Sequence, residues 1–343
     1  MLPMGETMQD KSPLRWGILG TGGIARAFVA DLGRLDDHKV VAVGSRTYGK
    51  AESFAAASTG RRTVPRAHGS YEALVADPEV DVVYVATPHP FHRPHALLAL
   101  GSGKHALVEK PFAMDAAEAA EMVALARSKG LFLMEAMWTR FLPHMAAIRR
   151  ILEAGTLGPI VTVSADHGQW FARDPGHRLF DKGLGGGALL DLGIYPVSFA
   201  SLVLGTPVSV LAASDLDATG ADAQTSMIFG YASGAHALLT TTLRAVSATV
   251  SSIVGEEARI DIDRKFYAPT MFRVTNRNGS LIERFDSHYD GRGLREEAAE
   301  VARCLRAGLA ESPLMRLEET VSIMETMDRV RGQIGLEYRG AAR

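Results

Sequence analysis

Residues 16–25 read Trp-Gly-Ile-Leu-Gly-Thr-Gly-Gly-Ile-Ala, which fits the pattern G-x-G-x-x-A directly after a strand-like run. In this pattern Gly20 permits a tight turn, Gly22 lets the backbone approach a pyrophosphate, and Ala25 lets the next helix pack closely on the strand. The free N–H groups at the start of that helix bind phosphate. The pattern predicts a dinucleotide-binding turn; the alternative is a glycine turn in a doubly wound protein that binds no dinucleotide. The predicted contact residues are Gly20, Thr21, Gly22, Gly23, Ile24 and Ala25.

The pattern of apolar residues differs between the first part of the chain and the second. From Leu14 to Met137, short β-branched runs alternate with amphipathic stretches, which is typical of a parallel sheet covered by helices on both faces. From Val208 to Phe285 one strand-like run follows another. In His236–Arg244 apolar and polar residues alternate with a period of two, which indicates a sheet with one buried face.

These patterns predict an α/β protein with two domains. We expect an N-terminal Rossmann fold with a parallel sheet at residues 13–140. Residues 141–343 are expected to form an α+β domain with a large, mostly antiparallel open sheet that binds substrate and mediates dimerisation. The last helix is expected to pack back on the first domain, and residues 1–12 to form a disordered lead-in.

The composition excludes several classes of protein. A formal net charge of −2 provides no strong field that would attract nucleic acid or an anionic membrane. Cys304 is the only cysteine, so a disulfide framework and a cysteine-rich zinc site are excluded. The first residues contain no apolar segment of a secretory signal, and the most apolar run, Gly187–Gly205, is interrupted by Asp191 and Pro196. We therefore expect a cytoplasmic protein without nucleic-acid or membrane partners.

The end of the second strand bears on the choice of cofactor. NAD-binding proteins usually place Asp or Glu about 20 residues after the glycine turn, where it binds the ribose hydroxyls. Here the strand ends in Ser45 and Arg46, with Lys50 just beyond, and no acid stands there. A guanidinium and a hydroxyl suit a 2′-phosphate. We therefore predict NADP as the cofactor; the alternative is that Arg46 only stacks on adenine and NAD also binds.

Two further strand ends point to the same edge of the sheet. The run Val108-Glu109-Lys110-Pro111 follows one strand and Thr87-Pro88-His89-Pro90-Phe91-His92 follows another. Ligands of open α/β sheets bind beyond the carboxyl ends of the strands. Lys110 is thus expected beside the nicotinamide, and the predicted cofactor contacts include Thr87, Pro88, His89, His92, Glu109 and Lys110. Glu109 has the alternative of a purely structural partner for the backbone or for a lysine.

These motifs carry a resemblance to a known family. The glycine turn, the Thr87–His92 turn and Gly103–Pro111 resemble the glucose–fructose oxidoreductase, inositol dehydrogenase and MocA (Gfo/Idh/MocA) superfamily. Glu135–Phe141 and Gly185–Tyr195 resemble its dimeric dihydrodiol dehydrogenase and NADP-linked D-xylose 1-dehydrogenase branch. Many superfamily members have histidine at the position of the helix tyrosine, so this departure argues against an inositol-type enzyme.

The resemblance implies which residues are catalytic. It assigns that role to Lys110 and Tyr195, and it implies a cis bond between Lys110 and Pro111. Asp191 and Tyr195 are four residues apart on a predicted helix and therefore share a face. We expect Lys110 to lower the phenol pKa so that Tyr195 accepts the substrate hydroxyl proton while hydride leaves for the nicotinamide. Asp191 would hold the lysine or a substrate hydroxyl.

Other polar and aromatic residues are candidates for the cleft. Trp138 and Arg140 follow a strand of the first sheet and are predicted cofactor contacts; Trp138 could wall the nicotinamide or a ring substrate, or pack between the domains. The candidate substrate residues are Trp138, His167, Phe171 and Arg173. His89, His92 and His95 suggest a metal, but their proline neighbours and the absence of a nearby carboxylate weigh against it, so no metal is predicted.

Three functions compete. The first is an NADP(H)-dependent oxidoreductase acting on a sugar, polyol or cyclic diol, as an aldose 1-dehydrogenase or trans-dihydrodiol dehydrogenase does. The second is a non-catalytic NADP-binding sensor of the same fold, and the third is a reductase of a ketosugar such as anhydrofructose. The sensor predicts loss of the lysine or the tyrosine, and both are present. An exposed sheet face and the resemblance also predict a homodimer.

Overall fold

The structure is a computed structural model that describes residues 12–58 and 64–338. The predicted lead-in, residues 1–12, lies outside the described residues apart from Ser12. Two sheets organise the chain, a parallel one in the first part and a mostly antiparallel one in the second. The predicted fold class is therefore confirmed.

The first sheet has six parallel strands in the order β3-β2-β1-β4-β5-β6. Its strands are β1 (Leu14–Leu19), β2 (His38–Gly44), β3 (Arg66–His68), β4 (Val82–Val85), β5 (His105–Glu109) and β6 (Leu133–Ala136). Its helices are α1 (Gly23–Leu32), α2 (Tyr48–Ala57), α3 (Tyr71–Val75), α4 (His92–Gly101) and α5 (Ala116–Lys129). The strand order reverses between β1 and β4, so the turns that follow these two strands lie on either side of a crevice.

The second sheet has eight strands in the order β14-β13-β12-β11-β7-β10-β9-β8, with only β7 and β10 parallel. Its strands are β7 (Ile160–Gly168), β8 (Ser209–Leu216), β9 (Asp222–Gly230), β10 (His236–Thr242), β11 (Ser251–Gly255), β12 (Ala258–Ile262), β13 (Phe272–Asn276) and β14 (Leu281–Phe285). Four helices accompany them, namely α6 (Pro143–Glu153), α7 (Ile194–Leu204), α8 (Leu294–Arg306) and α9 (Leu317–Ile334). The predicted period of two in β10 is real, because Ala237 and Leu239 are buried while His236 and Thr240 are exposed.

The two late helices fasten the halves together. Asp31 of α1 accepts hydrogen bonds from the backbone N–H groups of Gly293 (2.8 Å) and Leu294 (2.9 Å), so it caps the start of α8. Asp328 of α9 accepts one from the N–H of Ala116 (2.9 Å) at the start of α5. The relative placement of the two sheets therefore depends on contacts that are distant in sequence.

Within residues 12–58 and 64–338, one helical segment, Lys182–Leu204, has the length and apolar composition of a membrane span. Its most apolar window is 78% buried inside the protein, and the buried core helix of a protein in water passes the same test. The segment packs against the second sheet and carries residues of the candidate site.

Candidate active site

The glycine turn joins β1 to α1 at the point where the strand order reverses. Gly20 has φ +110°, and a Cβ there would lie 2.8 Å from the carbonyl oxygen of Ala86, so the position suits only glycine. Gly22 and Gly23 are exposed, and a Cβ on either would meet no heavy atom within 4 Å. The free N–H groups at the start of α1 thus face an open surface, which fits the pyrophosphate of a dinucleotide.

The other predicted contact residues of this turn differ in burial. Ala25 is fully buried against the core, whereas Thr21 and Ile24 are half-buried. Small size at Ala25 allows α1 to pack on the sheet, as the pattern predicts.

The end of β2 presents a hydroxyl and two cations. Ser45 is buried, and its N–H is bound to the carbonyl of His68 at 3.2 Å. Arg46 and Lys50 are both exposed, the latter on α2. Arg46 is close enough to Tyr71 for its charge to oppose the rise in phenol pKa that burial causes. An exposed guanidinium at this strand end fits a phosphate on the adenosine side of the crevice.

The three histidines after β4 are each bound to protein groups. His92 is fully buried, with its ring nitrogens 2.8 Å from the carbonyl oxygens of Thr87 and Pro111. His95 Nδ1 lies 3.0 Å from Thr87 Oγ1, and His89 Nδ1 lies 3.2 Å from the carbonyl oxygen of Gly185. Among residues 12–58 and 64–338 no three His, Cys, Asp or Glu side chains are placed to hold a metal ion. Pro88, next to them, is exposed at the crevice.

Lys110 extends from the end of β5 towards the second half of the chain. Its Nζ donates a hydrogen bond to the backbone oxygen of Asp191 (2.9 Å) and lies 3.5 Å from Asp191 Oδ1. The Lys110–Pro111 bond is cis, as the resemblance implies. Glu109 points away from this contact: its carboxylate accepts from Tyr84 Oη and from the N–H of Lys110 (3.0 Å). Glu109 thus has the structural placement that the sequence left open as an alternative.

The helix that carries Asp191 and Tyr195 is not regular. A π-helical turn, Leu189–Gly193, precedes α7. Pro196 has no N–H, so it can satisfy neither the carbonyl of Leu192, four residues earlier, nor that of Asp191, five residues earlier. Lys110 Nζ donates to the Asp191 carbonyl, and His167 Nδ1 lies 3.2 Å from that of Leu192. The irregular turn thereby brings the lysine and a histidine to the helix.

The charges beneath the cleft stabilise one another. Burial opposes ionisation of Asp191, but Lys110 and then Arg178 outweigh it and hold the pKa of this carboxyl well below its usual range. Arg178 contacts both carboxylate oxygens, at 3.2 and 3.4 Å. Burial likewise opposes the charge of Lys110, but Asp191, Tyr195 and Glu109 together more than offset it and raise the pKa of the amine. Both groups are therefore charged at neutral pH.

Tyr195 lies against the lysine and is almost fully buried. Lys110 Nζ stands 4.9 Å from the centroid of the phenol ring, and Trp138 Nε1 donates a hydrogen bond to Tyr195 Oη at 2.9 Å. Burial raises the pKa of Tyr195 to about 12, while Lys110 and the Trp138 bond oppose that rise only in part. Lys110 lowers the phenol pKa as expected, but burial outweighs the lysine, so the net shift is upward.

Aromatic rings form the wall around this phenol. The ring of Tyr267 stacks on His167 with centroids 4.3 Å apart and lies 4.8 Å from the ring of Tyr195. Burial lowers the pKa of His167 to about 4, so its ring is neutral. With Nδ1–H donated to Leu192, its Nε2 accepts from Gln169 Nε2 at 2.9 Å. The cleft thus combines apolar ring faces with an amide and an ammonium.

Three predicted residues have other partners in the structure. The guanidinium of Arg140 is 1% exposed and binds Ser198 and Glu319 on α7 and α9, so it does not reach the cleft. Arg173 is exposed and paired with Asp217 at 2.7 Å. Phe171 packs in a small cluster with Leu179, Phe180 and Leu243. A position after a strand or in a polar loop did not determine where these side chains point.

Sequence reasoning missed three residues that the structure brings to the site. Tyr267 comes from the connection between β12 and β13, far along the chain from Tyr195, and no local pattern distinguishes it. Gln169 and Arg178 lie in the polar loop before the glycine run, where only their polarity could have drawn attention to them.

A dinucleotide turn at the switch point, with an ammonium and a phenol meeting at the carboxyl edge of the sheet, defines an oxidoreductase that uses a nicotinamide dinucleotide. Comparison with known proteins agrees. Residues 14–137 match the model of the Gfo/Idh/MocA oxidoreductase family with its NAD-binding Rossmann fold, and residues 145–261 match the C-terminal domain of that family. The chain belongs to the Gfo/Idh/MocA family of oxidoreductases.

Relatives match over nearly the whole chain. Trans-1,2-dihydrobenzene-1,2-diol dehydrogenase of Mus musculus is 38% identical, and the match covers 95% of this chain and 98% of the mouse protein. The human protein of that name is 36% identical with the same coverage. Among solved structures, the aldose-aldose oxidoreductase of Caulobacter crescentus superimposes with a TM-score of 0.84 at 25% identity, covering 94% and 97% of the chains. The 3-ketoreductase of Actinomadura kijaniata, solved with NADP and TDP-benzene, superimposes with a TM-score of 0.82 at 25% identity, covering 94% and 98%.

Proposed function

We propose that the protein is an NADP(H)-dependent oxidoreductase that interconverts a hydroxyl and a carbonyl on a sugar, polyol or cyclic diol. The observation that carries the proposal is the convergence of Lys110, from the first sheet, and Tyr195, from the helix of the second half, in one cleft. The names of its relatives, a diol dehydrogenase and an aldose oxidoreductase, support the substrate class.

The residues present fit the cofactor. The glycine turn and the start of α1 would hold the pyrophosphate, and Ser45 and Arg46 would hold the 2′-phosphate that distinguishes NADP from NAD. No acid at the end of β2 competes for that position. When bound, the nicotinamide accepts or supplies the hydride. The complex of the Actinomadura 3-ketoreductase with NADP supports the same choice of cofactor.

Lys110 and Tyr195 would handle the proton. In oxidation the substrate O–H bond breaks and its proton passes to the Tyr195 oxygen, while the C–H electron pair leaves as hydride and a carbonyl forms. In reduction the phenol returns that proton to the carbonyl oxygen. Lys110 stabilises negative charge on the substrate oxygen in both directions, and Asp191 orients the ammonium. Because the phenol is protonated at neutral pH, the site is prepared for reduction and favours oxidation at alkaline pH.

Reduction of a ketosugar by the same groups is a second candidate function. It is favoured by the structural similarity to a 3-ketoreductase, and the protonated phenol suits reduction of any carbonyl. A non-catalytic sensor is disfavoured because Lys110 and Tyr195 are both present and brought together.

A panel of substrates tests the proposal. Aldoses, polyols, cyclic diols and ketosugars are each supplied with NADP or NAD in the matching redox state, and the absorbance of the reduced nicotinamide is followed. We expect turnover with at least one class and with NADP in preference to NAD. Lys110→Met should abolish it while leaving cofactor binding in place. Turnover that survives in Lys110→Met, or an inactive wild type that binds NADP, would contradict the proposed reaction.

We also infer a homodimer formed through the second sheet. Leu211, Ile228 and Leu238 are neighbours on three adjacent strands and are 64%, 46% and 46% exposed. Such an apolar row favours burial against a second copy. Leu238→Glu should convert the dimer to a monomer in light scattering, whereas the buried site is expected to keep its cofactor; a monomeric wild type would refute the inference.

We also infer that the protein is cytoplasmic, with a small-molecule substrate and no nucleic-acid or membrane partner. The single cysteine and the near-neutral net charge support it. Cell fractionation would test it, and recovery with membranes or nucleic acid would contradict it.

A further inference from the structure

The turn after β6 contacts the catalytic half of the molecule at three successive residues. Trp138 Nε1 donates to Tyr195 Oη (2.9 Å), Thr139 Oγ1 donates to the backbone oxygen of Tyr267 (2.7 Å), and Arg140 binds the helix α7. The first two contacts reach Tyr195 and Tyr267, whose rings line the cleft. The third contact lies behind the cleft and has no part in the proposed chemistry.

Arg140 holds α7 at the residue one turn beyond the phenol. Its Nε donates to Ser198 Oγ at 3.0 Å and its Nη2 to the Ser198 carbonyl at 2.7 Å. Ser198 is three residues after Tyr195, so both lie on the same side of the helix. A buried guanidinium with its planar donors in fixed directions holds its acceptors more strictly than a flexible side chain would.

Helices α9 and α6 also bind Arg140. Arg140 Nη2 also donates to Glu319 Oε1 of α9 at 2.6 Å, and Ser201 Oγ of α7 donates to the same oxygen at 2.7 Å. Arg149 of α6 donates to the Arg140 carbonyl at 2.6 Å. The turn that carries the indole and the helix that carries the phenol are therefore fixed to each other and to α9.

We propose that Arg140 is a positioning residue: by fixing the turn of Trp138 to the helix of Tyr195, it sets the hydrogen bond between the indole N–H and the phenol oxygen. This bond is directed at the atom that gains and loses the proton, so its geometry enters the rate. The inference rests on the proposed function for its kinetic consequence, but the hydrogen bond itself can be observed without turnover.

Different charged and titratable groups surround Tyr195 and Arg140. Lys110, Asp191, His167 and Tyr267 surround Tyr195, and Glu109 acts on it from the first sheet. Glu135, Arg149 and Glu319 surround Arg140. None of the second set touches the phenol, so substitutions at Arg140 reach Tyr195 through the turn of Trp138 and through α7.

The three indole N–H groups allow a direct test. The chain has three tryptophans, and each gives one indole signal in an NMR spectrum of the full-length protein labelled with 15N-tryptophan. Trp138→Phe assigns the signal of interest. Trp16, whose Nε1 donates to His38 Nδ1 at 2.9 Å in the first sheet, reports whether that sheet is still folded. In Arg140→Met we expect the Trp138 signal to move towards that of a free indole and its exchange with solvent to accelerate, while the Trp16 signal stays in place.

A matched variant separates positioning from general stability. Arg329 on α9 also donates to two backbone oxygens, those of Pro207 (2.8 Å) and Val208 (3.1 Å), in the connection between α7 and β8. Arg329→Met should lower the melting temperature yet leave the Trp138 signal unchanged. Ser198→Ala, which removes one acceptor of Arg140, should move that signal in the same direction as Arg140→Met but less.

Turnover provides the second readout. Arg140→Met should reduce kcat by about tenfold, the size of one weakened hydrogen bond at the reacting oxygen, with the KM for NADP unchanged. Added to Trp138→Phe it should cause no further loss, because the bond that it positions is already gone. A Trp138 signal that stays in place in folded Arg140→Met or Ser198→Ala, or additive losses in the double variant, would overturn the inference. An inactive wild type would contradict only the proposed function, since the NMR result does not depend on turnover.

Discussion

Removing one oxygen atom from Tyr195 tests the chemistry most directly. In Tyr195→Phe the ring keeps its place against Lys110, 4.9 Å from Nζ, but the group that exchanges the proton is lost. General acid–base catalysis is typically worth about 10²–10⁴ in rate, so kcat should fall by that factor. The Kd of NADP should stay unchanged, because the residues assigned to its phosphates lie at the glycine turn and at the end of β2.

The same substitution has a predictable effect on stability. Trp138 Nε1 loses its acceptor at a site where Tyr195 is only 7% exposed. An unsatisfied buried donor costs about 1–3 kcal/mol, so the free energy of unfolding should decrease by about that amount. Denaturant unfolding of wild type and variant measures it, and initial rates at saturating substrate measure the change in kcat.

Tyr267→Phe is the control for both effects. Its ring lies 4.8 Å from that of Tyr195, but its hydroxyl receives only a 3.5 Å contact from Gln169. It should therefore keep most of the turnover and lose little stability. Equal losses in the two variants, or full turnover in Tyr195→Phe, would show that the phenol oxygen of Tyr195 is not the proton carrier.

Three further perturbations have expected outcomes. Gly20→Ala places a Cβ 2.8 Å from the carbonyl oxygen of Ala86 at φ +110°, so it should cost at least about 1–2 kcal/mol of stability and weaken NADP binding in a fluorescence titration; unchanged binding would contradict the role of the turn. Arg46→Ala should weaken NADP binding by about 10- to 100-fold, the loss of charged hydrogen bonds, and leave NAD binding nearly unchanged in calorimetry; an equal loss for both cofactors would refute the assignment of the 2′-phosphate. The Asp222 carboxylate accepts a hydrogen bond from the N–H of Leu189 at 2.8 Å, and burial raises its pKa from the ordinary 3.8 to about 7. The folded protein therefore holds this proton more tightly than the unfolded chain does. The free energy of unfolding should fall as pH rises from about 4 to about 7. Asp222→Asn should remove this fall in the free energy of unfolding, which amounts to up to about 4 kcal/mol for a shift of about three pKa units. Urea unfolding at a series of pH values measures it. An unaltered pH dependence in the variant would exclude the raised pKa.

Local pattern accounts for much of the first half of the chain. The glycine turn and the strands with continuous apolar runs form as predicted, because their signals lie within a few consecutive residues. β3 and α2 carry only weak local signals. β3 has only three residues, of which Arg66 is exposed, and α2 is alanine-rich with Gly49 in its first turn and little contrast between its faces. Short or weakly amphipathic elements are stabilised by their neighbours in the fold rather than by their own sequence.

The sequence by itself determined the fold class, the phosphate turn, and the presence of a lysine at a strand end and a tyrosine on a core helix. Tertiary structure alone decided that Tyr267 joins the cleft, that Arg140 turns towards Ser198, and that burial outweighs Lys110 in raising the pKa of Tyr195. The physical reason is distance along the chain. Backbone conformation and the periodicity of burial depend on nearby residues, whereas the direction of a side chain and the solvation of a charge depend on whichever segments pack around it.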